Sequence, residues 1–297
     1  MQAMISIDYM RQPVGTFALE IEQLRLYPGL TLLVGSNGAG KSTLLKLLAT
    51  VDKPRKGRIA YQDREAADHL PLIRSQIGYV PSDLELYEEM TTQKLLVYLA
   101  ELKGVFHIEM VDRLIRDFRL ESYRNTRIKR LSIGVQRRIA IAQSLLAQPK
   151  FLFLDEPLNA LDSGERKMAI TYLTRYALGR VVVAAIHEMN EWEASANRIL
   201  WLENGRLRFE GRAAEWKWNL PLKVWEGVVE RKQMHRFPEQ TVIFMREQEE
   251  GLFVRLVADE LPYPGMEEVL PSMEDAYFVR KLSAKLRGGQ SSTCGQP

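Results

Sequence analysis

Apolar and polar residues at the start of the chain follow the pattern of strands and then of a helix. ISIDY (5–9) and TFALEIEQL (16–24) alternate between apolar and polar positions, as half-buried strands do. LTLLVG (30–35) is a continuous apolar run that ends in glycine, and KSTLLKLLAT (41–50) has helical spacing. The pattern therefore predicts two half-buried strands and then a buried strand, a glycine-rich loop and a helix.

The middle of the chain predicts a helical segment followed by further buried strands. From Thr91 to about Ala147, apolar residues recur three and four positions apart, as in amphipathic helices. FLFLD (151–155) and VVVAAI (181–186) are continuous apolar runs separated by a helical stretch, which is typical of central strands in a parallel sheet. We expect an α/β fold with a helical subdomain over about 84–147.

The composition changes after RILWLENGRLRFEG, in which Asn204-Gly205 predicts a tight hairpin. The segments LKVWEGVVE, QTVIFMRE and LFVRLVA alternate like strands of a small sheet, and PSMEDAYFVRKL has the spacing of a closing helix. We therefore expect a main domain over 1–215 and a small accessory α+β domain over 216–285. The polar residues 286–297 are expected to form a disordered tail.

Charge, cysteine content and hydropathy limit the classes of function. A net charge of +3 over 297 residues gives no electrostatic case for nucleic acid, so no nucleic-acid partner is expected. The single cysteine, Cys294, excludes a disulfide framework and a cysteine-based metal site, and it fits a reducing cytosol. The start of the chain lacks the apolar core of a signal peptide, and the longest apolar runs are too short to span a bilayer.

Residues 35–43, GSNGAGKST, match the pattern of Gly, four residues, Gly, Lys and Ser or Thr. In such a loop the glycines turn backbone amides toward phosphates, Lys41 reaches the β- and γ-phosphates, and the Ser42 hydroxyl ligates Mg²⁺. An ordinary glycine-rich turn is the alternative, but the preceding buried strand supplies the context that the motif requires. The predicted nucleotide site comprises Ser36, Asn37, Gly38, Ala39, Gly40, Lys41, Ser42 and Thr43.

Acidic residues and a histidine follow two of the predicted buried strands. Asp155 and Glu156 end the run FLFL, at the carboxyl edge where open α/β sheets bind ligands. We expect Asp155 to hold Mg²⁺ through water and Glu156 to orient or deprotonate the attacking water. His187 follows VVVAAI and is positioned to contact a γ-phosphate, although a lone histidine is more often structural. A turn before Pro157 is the alternative for the two acids.

Two helix starts carry further candidates. LSIGVQRR (131–138) has the outline of a phosphate-touching helix start, except that Ile133 stands between Ser132 and Gly134. Gln136, Arg137 and Arg138 lie in the first turns of that helix, where positive charge is unfavourable for the dipole but useful beside a polyphosphate. A solvated basic face is the alternative, and we favour it for Arg138. In NALDSGER, Asp162 is placed to cap the next helix, with Glu165 completing a capping box.

Together these motifs resemble the ATP-binding subunit of an ABC transporter, in the expected order over about 1–215. GSNGAGKST is similar to the Walker A loop, LSIGV to the family signature, FLFLDE to Walker B, NALD to the D-loop, and His187 to the switch histidine. The resemblance implies a P-loop NTPase fold with a RecA-like core, an antiparallel β subdomain and a helical signature subdomain. It also implies ATP and Mg²⁺ as cofactors.

The resemblance further implies partners. Two nucleotide-binding subunits, identical or different, would close head to tail around two ATP molecules, so that Ser132, Gly134 and Asp162 act across the interface. Transmembrane permease subunits would hold the protein on the cytoplasmic face of the cell membrane. The region beyond 215 is similar to that of ATPase subunits with separately encoded exporter-type permeases. Tyr9 resembles the family's adenine-stacking aromatic, with Phe17 or a core role for Tyr9 as alternatives.

The sequence departs from the family pattern at two positions. The family has Gln where Ser82 stands in IGYVPSDLELYEEMT, and that Gln helps to hold Mg²⁺, so Ser82 would need a bridging water. Ile133 replaces the first glycine of the signature pair; it is strained if its φ is positive and acceptable if its φ is helical. We expect slowed or retuned hydrolysis. A non-hydrolytic regulatory subunit and a soluble, non-transport ABC ATPase are the alternative functions.

Overall fold

The computed structural model describes residues 4–290, with side chains described to residue 285. It contains two compact units, one formed by residues 4–187 and 194–211 and the other by residues 188–193 and 212–290. The strands are β1 (Ile5–Val14), β2 (Phe17–Leu26), β3 (Gly29–Val34), β4 (Lys56–Tyr61), β5 (Arg64–Glu65), β6 (Ile77–Val80), β7 (Phe151–Asp155), β8 (Val181–Ala185), β9 (Arg198–Glu203), β10 (Arg206–Arg212), β11 (Lys223–Val229), β12 (Val242–Gln248), β13 (Gly251–Ala258) and β14 (Glu267–Val269). The α-helices are α1 (Lys41–Leu48), α2 (Leu70–Arg74), α3 (Thr92–Leu102), α4 (Ile108–Asp117), α5 (Ile133–Ser144), α6 (Ser163–Tyr176), α7 (Ala213–Trp216) and α8 (Met273–Gln290).

A ten-stranded sheet forms the centre of the first unit, in the order β5-β4-β1-β2-β10-β9-β3-β8-β7-β6. Its parallel part includes β3, which pairs with β8 and β9, and β7, which pairs with β6 and β8. Strands β7 and β8 are buried at every position, as their continuous apolar sequences predict. Because parallel strands end at the same edge, the loops after β3, β7 and β8 lie next to one another.

The other part of this sheet is mostly antiparallel, although β10 makes one parallel pair with β2, at Arg206 and Glu20. Strand β1 pairs with β2 over its whole length, from Ile5 opposite Leu26 to Val14 opposite Phe17, and with β4 on its other side. The turn between β9 and β10 has positive φ at Asn204 (+49°) and Gly205 (+73°), as a type I′ hairpin requires. The predicted hairpin and the predicted α/β class are both confirmed.

One apolar cluster joins the two parts of the sheet to α1. It includes Ile7 and Leu24 from the antiparallel part, Phe153 from β7, and Leu44 and Leu48 from α1, all at most 1% exposed. Each such side chain stabilises the fold by about 1.5–3 kcal/mol through burial. The helix that follows the glycine-rich loop is therefore fixed on the sheet by its apolar face.

A helical segment lies between β6 and β7, where the periodicity predicts it. It contains α3, α4 and α5, and α3 contacts both of the others. The hydroxyls of Thr91 and Ser132 accept hydrogen bonds from the amides of Lys94 and Val135 and so cap the N-termini of α3 and α5. Local sequence thus determines where these two helices begin.

The second unit consists of a four-stranded antiparallel sheet, β12-β13-β11-β14, and α8. Val224 and Val257 on one face of the sheet pack against Val279 and Leu282 of α8. The helix α8 continues to Gln290, so the expectation of a disordered tail is wrong for residues 286–290. The reason is that adding a residue to a helix that has already formed costs little free energy. The rest of that expectation, 291–297, lies outside the described residues. Among residues 4–290, no helix combines the length and apolar content needed to cross a bilayer.

Candidate nucleotide site

The glycine-rich loop connects β3 to α1 and depends on glycine at specific positions. A Cβ added at Gly35 would lie 2.0 Å from the Leu202 carbonyl oxygen, so a side chain does not fit there. Gly38 and Gly40 have φ values of +76° and +103°, a region in which other residues are strained. Asn37 and Gly38 are exposed at the tip of the loop. The loop thus presents its backbone and the N-terminus of α1 to a ligand.

Lys41 is the first residue of α1 and points back into the loop. Its Nζ donates hydrogen bonds to the carbonyl oxygens of Gly35 at 2.8 Å and Ser36 at 3.2 Å, and the residue is 7% exposed. Burial lowers the pKa of Lys41, and the nearby carboxylates of Glu156, Asp155 and Glu203 oppose that shift. The ammonium group is therefore held in place by carbonyl oxygens and carboxylates.

Glu156 and His187 follow β7 and β8 and meet at the edge of the sheet. His187 Nε2 lies 2.6 Å from Glu156 Oε1, and Asn159 Nδ2 donates a hydrogen bond to the other carboxylate oxygen. Burial raises the pKa of Glu156, but the hydrogen bonds and the charges of His187 and Lys41 outweigh it, so the pKa lies below its ordinary value. Glu156 also has a left-handed backbone, with φ of +51°. An ionised carboxylate therefore lies close enough to Lys41 for the two charges to interact.

The N-terminus of α5 presents Ser132 and Ile133 to solvent. Ser132 caps the helix through its hydroxyl, and Ile133 has helical backbone angles and is 68% exposed. Ile133 is therefore unstrained, because its φ is not positive. Gly134 is buried, and a Cβ added there would lie 2.5 Å from the Ala160 carbonyl oxygen. The glycine at 134 is thus required for packing within this chain.

A polar network connects α5 to the start of α6. Asp162 caps α6 by accepting a hydrogen bond from the Glu165 amide at 2.8 Å, and the Glu165 carboxylate accepts one from the Asp162 amide at 3.2 Å, so the expected capping box is present. The same carboxylate pairs with Arg138 at 3.0 Å. Arg138 is 4% exposed and also donates to the carbonyl oxygens of Phe118 and Arg119. The expectation that Arg138 lies on a solvated face is therefore wrong, because the side chain ties α5 to neighbouring backbone.

Comparison with known proteins supports one family. The family model described as ABC transporter matches residues 22–159. A Chlorella vulgaris protein that carries the name sulfate/thiosulfate import ATP-binding protein CysA is 32% identical over 218 residues, which cover 71% of this chain and 92% of that protein. The chain belongs to the ABC transporter family. It contains the family's ATP-binding cassette, and such cassettes are ATPases.

Two further comparisons concern fold and length. A dimeric bacterial ABC transporter cassette, MJ0796, superposes with a TM-score of 0.64 at 25% identity and covers 71% of this chain and 99% of that one. ATP-binding cassette sub-family A member 17 of Rattus norvegicus is 33% identical over 62% of this chain. The chain spans only 11% of that rat protein, which is much longer. The matches agree with the mixed α/β P-loop fold of the cassette.

The cassette offers two oxygen ligands that suit Mg²⁺. Asp155 is 2% exposed, and its Oδ2 is buried without a hydrogen-bond partner. The Ser42 hydroxyl lies close enough to lower the pKa of the Asp155 carboxyl. Burial raises the pKa of Asp155, and the Ser42 hydroxyl and Lys41 partly oppose the shift. A buried carboxylate oxygen without a partner is costly unless a cation or water satisfies it. The residues present therefore fit a magnesium ion brought by the nucleotide.

The contact that fixes Ser82 is made by its backbone carbonyl and not by its hydroxyl, the group expected to hold the metal. The Ser82 carbonyl oxygen accepts a hydrogen bond from Arg137 Nη2 at 2.6 Å, and the Pro81 carbonyl accepts one from Nη1 at 2.9 Å. Arg137 is 4% exposed, and burial lowers its pKa against the charges of Glu156 and Asp155. The backbone at Ser82 is therefore tied to α5. A metal-holding role for its hydroxyl stays a prediction.

The two aromatic candidates for adenine stacking lie in different places. Tyr9 is 78% exposed with φ of +50°, which excludes the alternative core role, and it borders a surface cavity with Glu22 and Gln23. Phe17 lies nearer the phosphate loop, since a Cβ added at Gly40 would be 3.7 Å from its ring. Phe17 also lines a separate cavity of about 520 Å³. Which of the two aromatics contacts a base stays a prediction.

Several residues of the site were not predicted from the sequence. Glu203 at the end of β9 accepts a hydrogen bond from Ser36 Oγ at 2.8 Å, and Asn159 and Arg137 contact Glu156 and the Ser82 backbone. Asn159 lies inside NALD, so that motif was the available signal. Glu203 carries no local signal, because topology alone brings it to the site. Arg137 had one as a basic residue in the first turns of α5, but its contacts with the backbone of Pro81 and Ser82 were not predicted.

Proposed function

We propose that this chain is the ATP-binding and ATP-hydrolysing subunit of an ABC transporter, that it drives a separate transmembrane permease, and that transport is export. The observation that carries the proposal is the 2.6 Å contact of Glu156 with His187 beside the phosphate loop. It combines a carboxylate, a histidine and the Lys41 ammonium at one edge of the sheet, where α/β folds bind nucleotides. Hydrolysis of ATP requires a cation on the phosphates and a group that orients or deprotonates the attacking water.

Lys41 is the proposed phosphate-binding cation. Its ammonium group is hydrogen-bonded to two loop carbonyls, and a bound nucleotide would offer its β- and γ-phosphate oxygens in their place. The loop residues from Ser36 to Thr43 add backbone amides and the N-terminus of α1. Ser42 and Asp155 would hold Mg²⁺, which neutralises charge that develops on the phosphates.

Glu156 is the proposed base and His187 the proposed γ-phosphate contact. Water would attack the γ-phosphorus, the bond from that phosphorus to the ADP oxygen would break, and the proton of the water would pass to Glu156. The lowered pKa keeps the carboxylate ionised, which suits orientation of the attacking water, and makes Glu156 a weaker base than an ordinary glutamate. The partner of the hydrogen bond, His187, fixes the direction in which the carboxylate points.

A second nucleotide-binding subunit, identical or different, is the first proposed partner. Ser132 and Ile133 are exposed at the N-terminus of α5, and Asp162 is exposed at the start of α6. Exposed residues at a helix start suit contact with phosphate on another subunit. The dimeric form of the similar cassette MJ0796 supports this partner.

A membrane permease is the second proposed partner. The segment around Ser82 to Tyr87 is the proposed docking site for the permease. Tyr87 and Tyr98 are 53% and 37% exposed, and their rings pack edge to face with centroids 5.7 Å apart. Exposed aromatics suit a protein interface. The permease would hold the protein on the cytoplasmic face of the membrane. The export direction is supported by the resemblance of the region beyond 215 to exporter-type subunits.

Phosphate release by the purified protein tests the hydrolytic role. Glu156→Gln keeps the shape of the side chain but removes the base, so the rate should fall by about 10²- to 10⁴-fold while ATP affinity is retained. Glu268→Gln, which alters an exposed ion pair with Lys223 in the second unit, is the matched control and should be fully active. Equal release from wild type and Glu156→Gln would favour a non-hydrolytic regulatory subunit.

Partners are tested separately. Glu156→Gln with ATP should form a dimer in size-exclusion chromatography, and Ser132→Arg in that background should prevent it by placing a long side chain at the exposed end of α5.

Crosslinking in cells should capture a multi-span membrane protein through a photoreactive group at Tyr87. Capture of none would contradict the transporter assignment. ATP-dependent uptake of the transported substrate by inverted vesicles would support export. Uptake by right-side-out vesicles would support import.

A further inference from the structure

The six residues after His187 are held inside the second unit by the start of α8. Glu274 Oε1 accepts hydrogen bonds from the backbone amides of Met189 at 3.0 Å and Asn190 at 3.4 Å. Glu274 Oε2 accepts a third from Asn190 Nδ2 at 2.9 Å, and the Glu274 amide donates to Asn190 Oδ1 at 3.4 Å. One glutamate therefore makes four hydrogen bonds with two neighbouring residues.

The position of this carboxylate suits both segments that it joins. The Glu274 carboxylate lies at the N-terminus of the short 3₁₀ helix Asn190–Trp192 and in the first turn of α8. A negative charge is favourable at the N-terminus of each helix. The rest of the segment is also fixed, because Trp192 is 1% exposed and Glu193 pairs with Lys217 at 2.5 Å. Residues 188–193 are thus immobilised in the second unit by packing and by charge.

His187 lies between two fixed stretches of chain. On its N-terminal side, Ile186 donates its amide hydrogen to the Leu33 carbonyl oxygen at 3.1 Å, which ties it to β3. On its C-terminal side, Met189 is held by Glu274 after a single intervening residue. The chain on each side of His187 is therefore held by hydrogen bonds within its own unit, and the imidazole lies 2.6 Å from Glu156 Oε1.

We infer that Glu274 is a positioning residue for the histidine that the hydrolysis of ATP requires, so that the second unit sets the turnover rate of the cassette. The inference rests on the proposed function, because it assigns a rate to the contact of His187 with Glu156. Loss of the Glu274 side chain removes the three hydrogen bonds that Met189 and Asn190 donate to it, so the backbone that follows His187 becomes less restrained and His187 samples more orientations. Catalytic geometry is sensitive to such displacements, whereas binding of ATP through the phosphate loop is not affected.

The test compares Glu274→Ala with the control Glu268→Ala, which removes an exposed carboxylate from the same unit. For Glu274→Ala we expect kcat to fall roughly two- to thirtyfold with KM for ATP unchanged, and for Glu268→Ala we expect no change. Glu274→Gln should recover part of kcat, because its side-chain oxygen still accepts from the two backbone amides. In the His187→Ala background, Glu274→Ala should cause no further loss, since both act through one group.

Hydrogen exchange supplies the second measurement. The amides of Met189 and Asn190 should exchange faster in Glu274→Ala than in the wild type, and unchanged exchange would overturn the inference. An unchanged kcat, or a full additional loss in the His187→Ala background, would also overturn it. If Glu156→Gln lowers hydrolysis but Glu274→Ala does not, only this inference is wrong. If the wild type hydrolyses ATP no faster than Glu156→Gln, the proposed function is wrong as well.

Discussion

The close packing of Gly134 against Ala160 predicts what a larger residue would do at the start of α5, the helix that carries the signature motif. In Gly134→Ala, the new methyl group would lie 2.5 Å from the Ala160 carbonyl oxygen, closer than real Cβ atoms approach oxygen. Both groups are held by backbone, so either the start of α5 or the loop before Asp162 must shift. Ala160 is already left-handed, with φ of +63°, and has little freedom to adapt.

The expected changes in stability and rate differ in size. Overpacking of this kind costs about 1–3 kcal/mol, and replacing glycine by alanine in a helix returns about 1 kcal/mol. The net loss of unfolding free energy is then at most about 2 kcal/mol, or roughly 4–8 °C in Tm for a domain of this size. A displacement of about 1 Å in a catalytic group costs on the order of 100-fold in rate. Turnover should therefore suffer far more than stability.

The assay compares ATPase kcat and Tm for two glycine replacements. Gly164→Ala is the matched control, since it lies in the first turn of α6 and its new methyl group would meet only Asp162 Oδ1 at an ordinary 3.4 Å. It should keep wild-type kcat and gain a little stability. If Gly134→Ala shows wild-type kcat and Tm, the packing of α5 against Ala160 does not set the geometry of the site, and the reasoning is wrong.

Three further predictions concern single groups. Lys41→Met should weaken ATP binding about 10- to 100-fold, because it removes charged hydrogen bonds, and fluorescent-nucleotide titration measures this. Ser82→Gln should raise kcat, because the serine hydroxyl reaches less far toward Mg²⁺ than a glutamine side chain. An unchanged kcat would show that the contact of Arg137 with the Ser82 carbonyl oxygen is enough for full turnover. Asp275→Asn should lower the free energy of unfolding by about 1.5–3 kcal/mol in urea at pH 7, because it weakens the charged hydrogen bonds to Arg255, which keeps its other partner, Glu226. Burial raises the pKa of Asp275, but Arg255 and neighbouring donors lower it overall, so the difference between the two proteins should be full above about pH 4 and shrink as pH falls below that.

Local signals in the sequence were sufficient for most of the fold. The apolar runs of β3, β7 and β8, the glycine loop and the cap of α6 each depend on residues within one short stretch, and the structure shows all of them. Once these strands are parallel neighbours, the residues that follow them meet at one edge. The meeting of Glu156 with His187 was therefore predictable from the order of the motifs.

Contacts between distant parts of the chain were not predictable in this way. Ser36 and Glu203 are 167 positions apart, Arg137 and Pro81 are 56 apart, and Met189 and Glu274 are 85 apart. No periodicity links such pairs, because sheet order and packing decide them. The burial of Arg138 was missed for the same reason, since its partners lie on α6 and at the end of α4.

Ile133 and Gly134 are adjacent but are restricted by different partners. Gly134 is restricted within the chain by Ala160, whereas Ile133 is 68% exposed and unstrained. A restriction on Ile133 would therefore come from the proposed second subunit and its nucleotide. Ile133→Gly should cost at most about 1 kcal/mol of stability and should raise kcat of the ATP-bound dimer, because the backbone comes closer to the facing phosphate. An unchanged kcat in a protein that still dimerises with ATP would show that position 133 does not reach the phosphate.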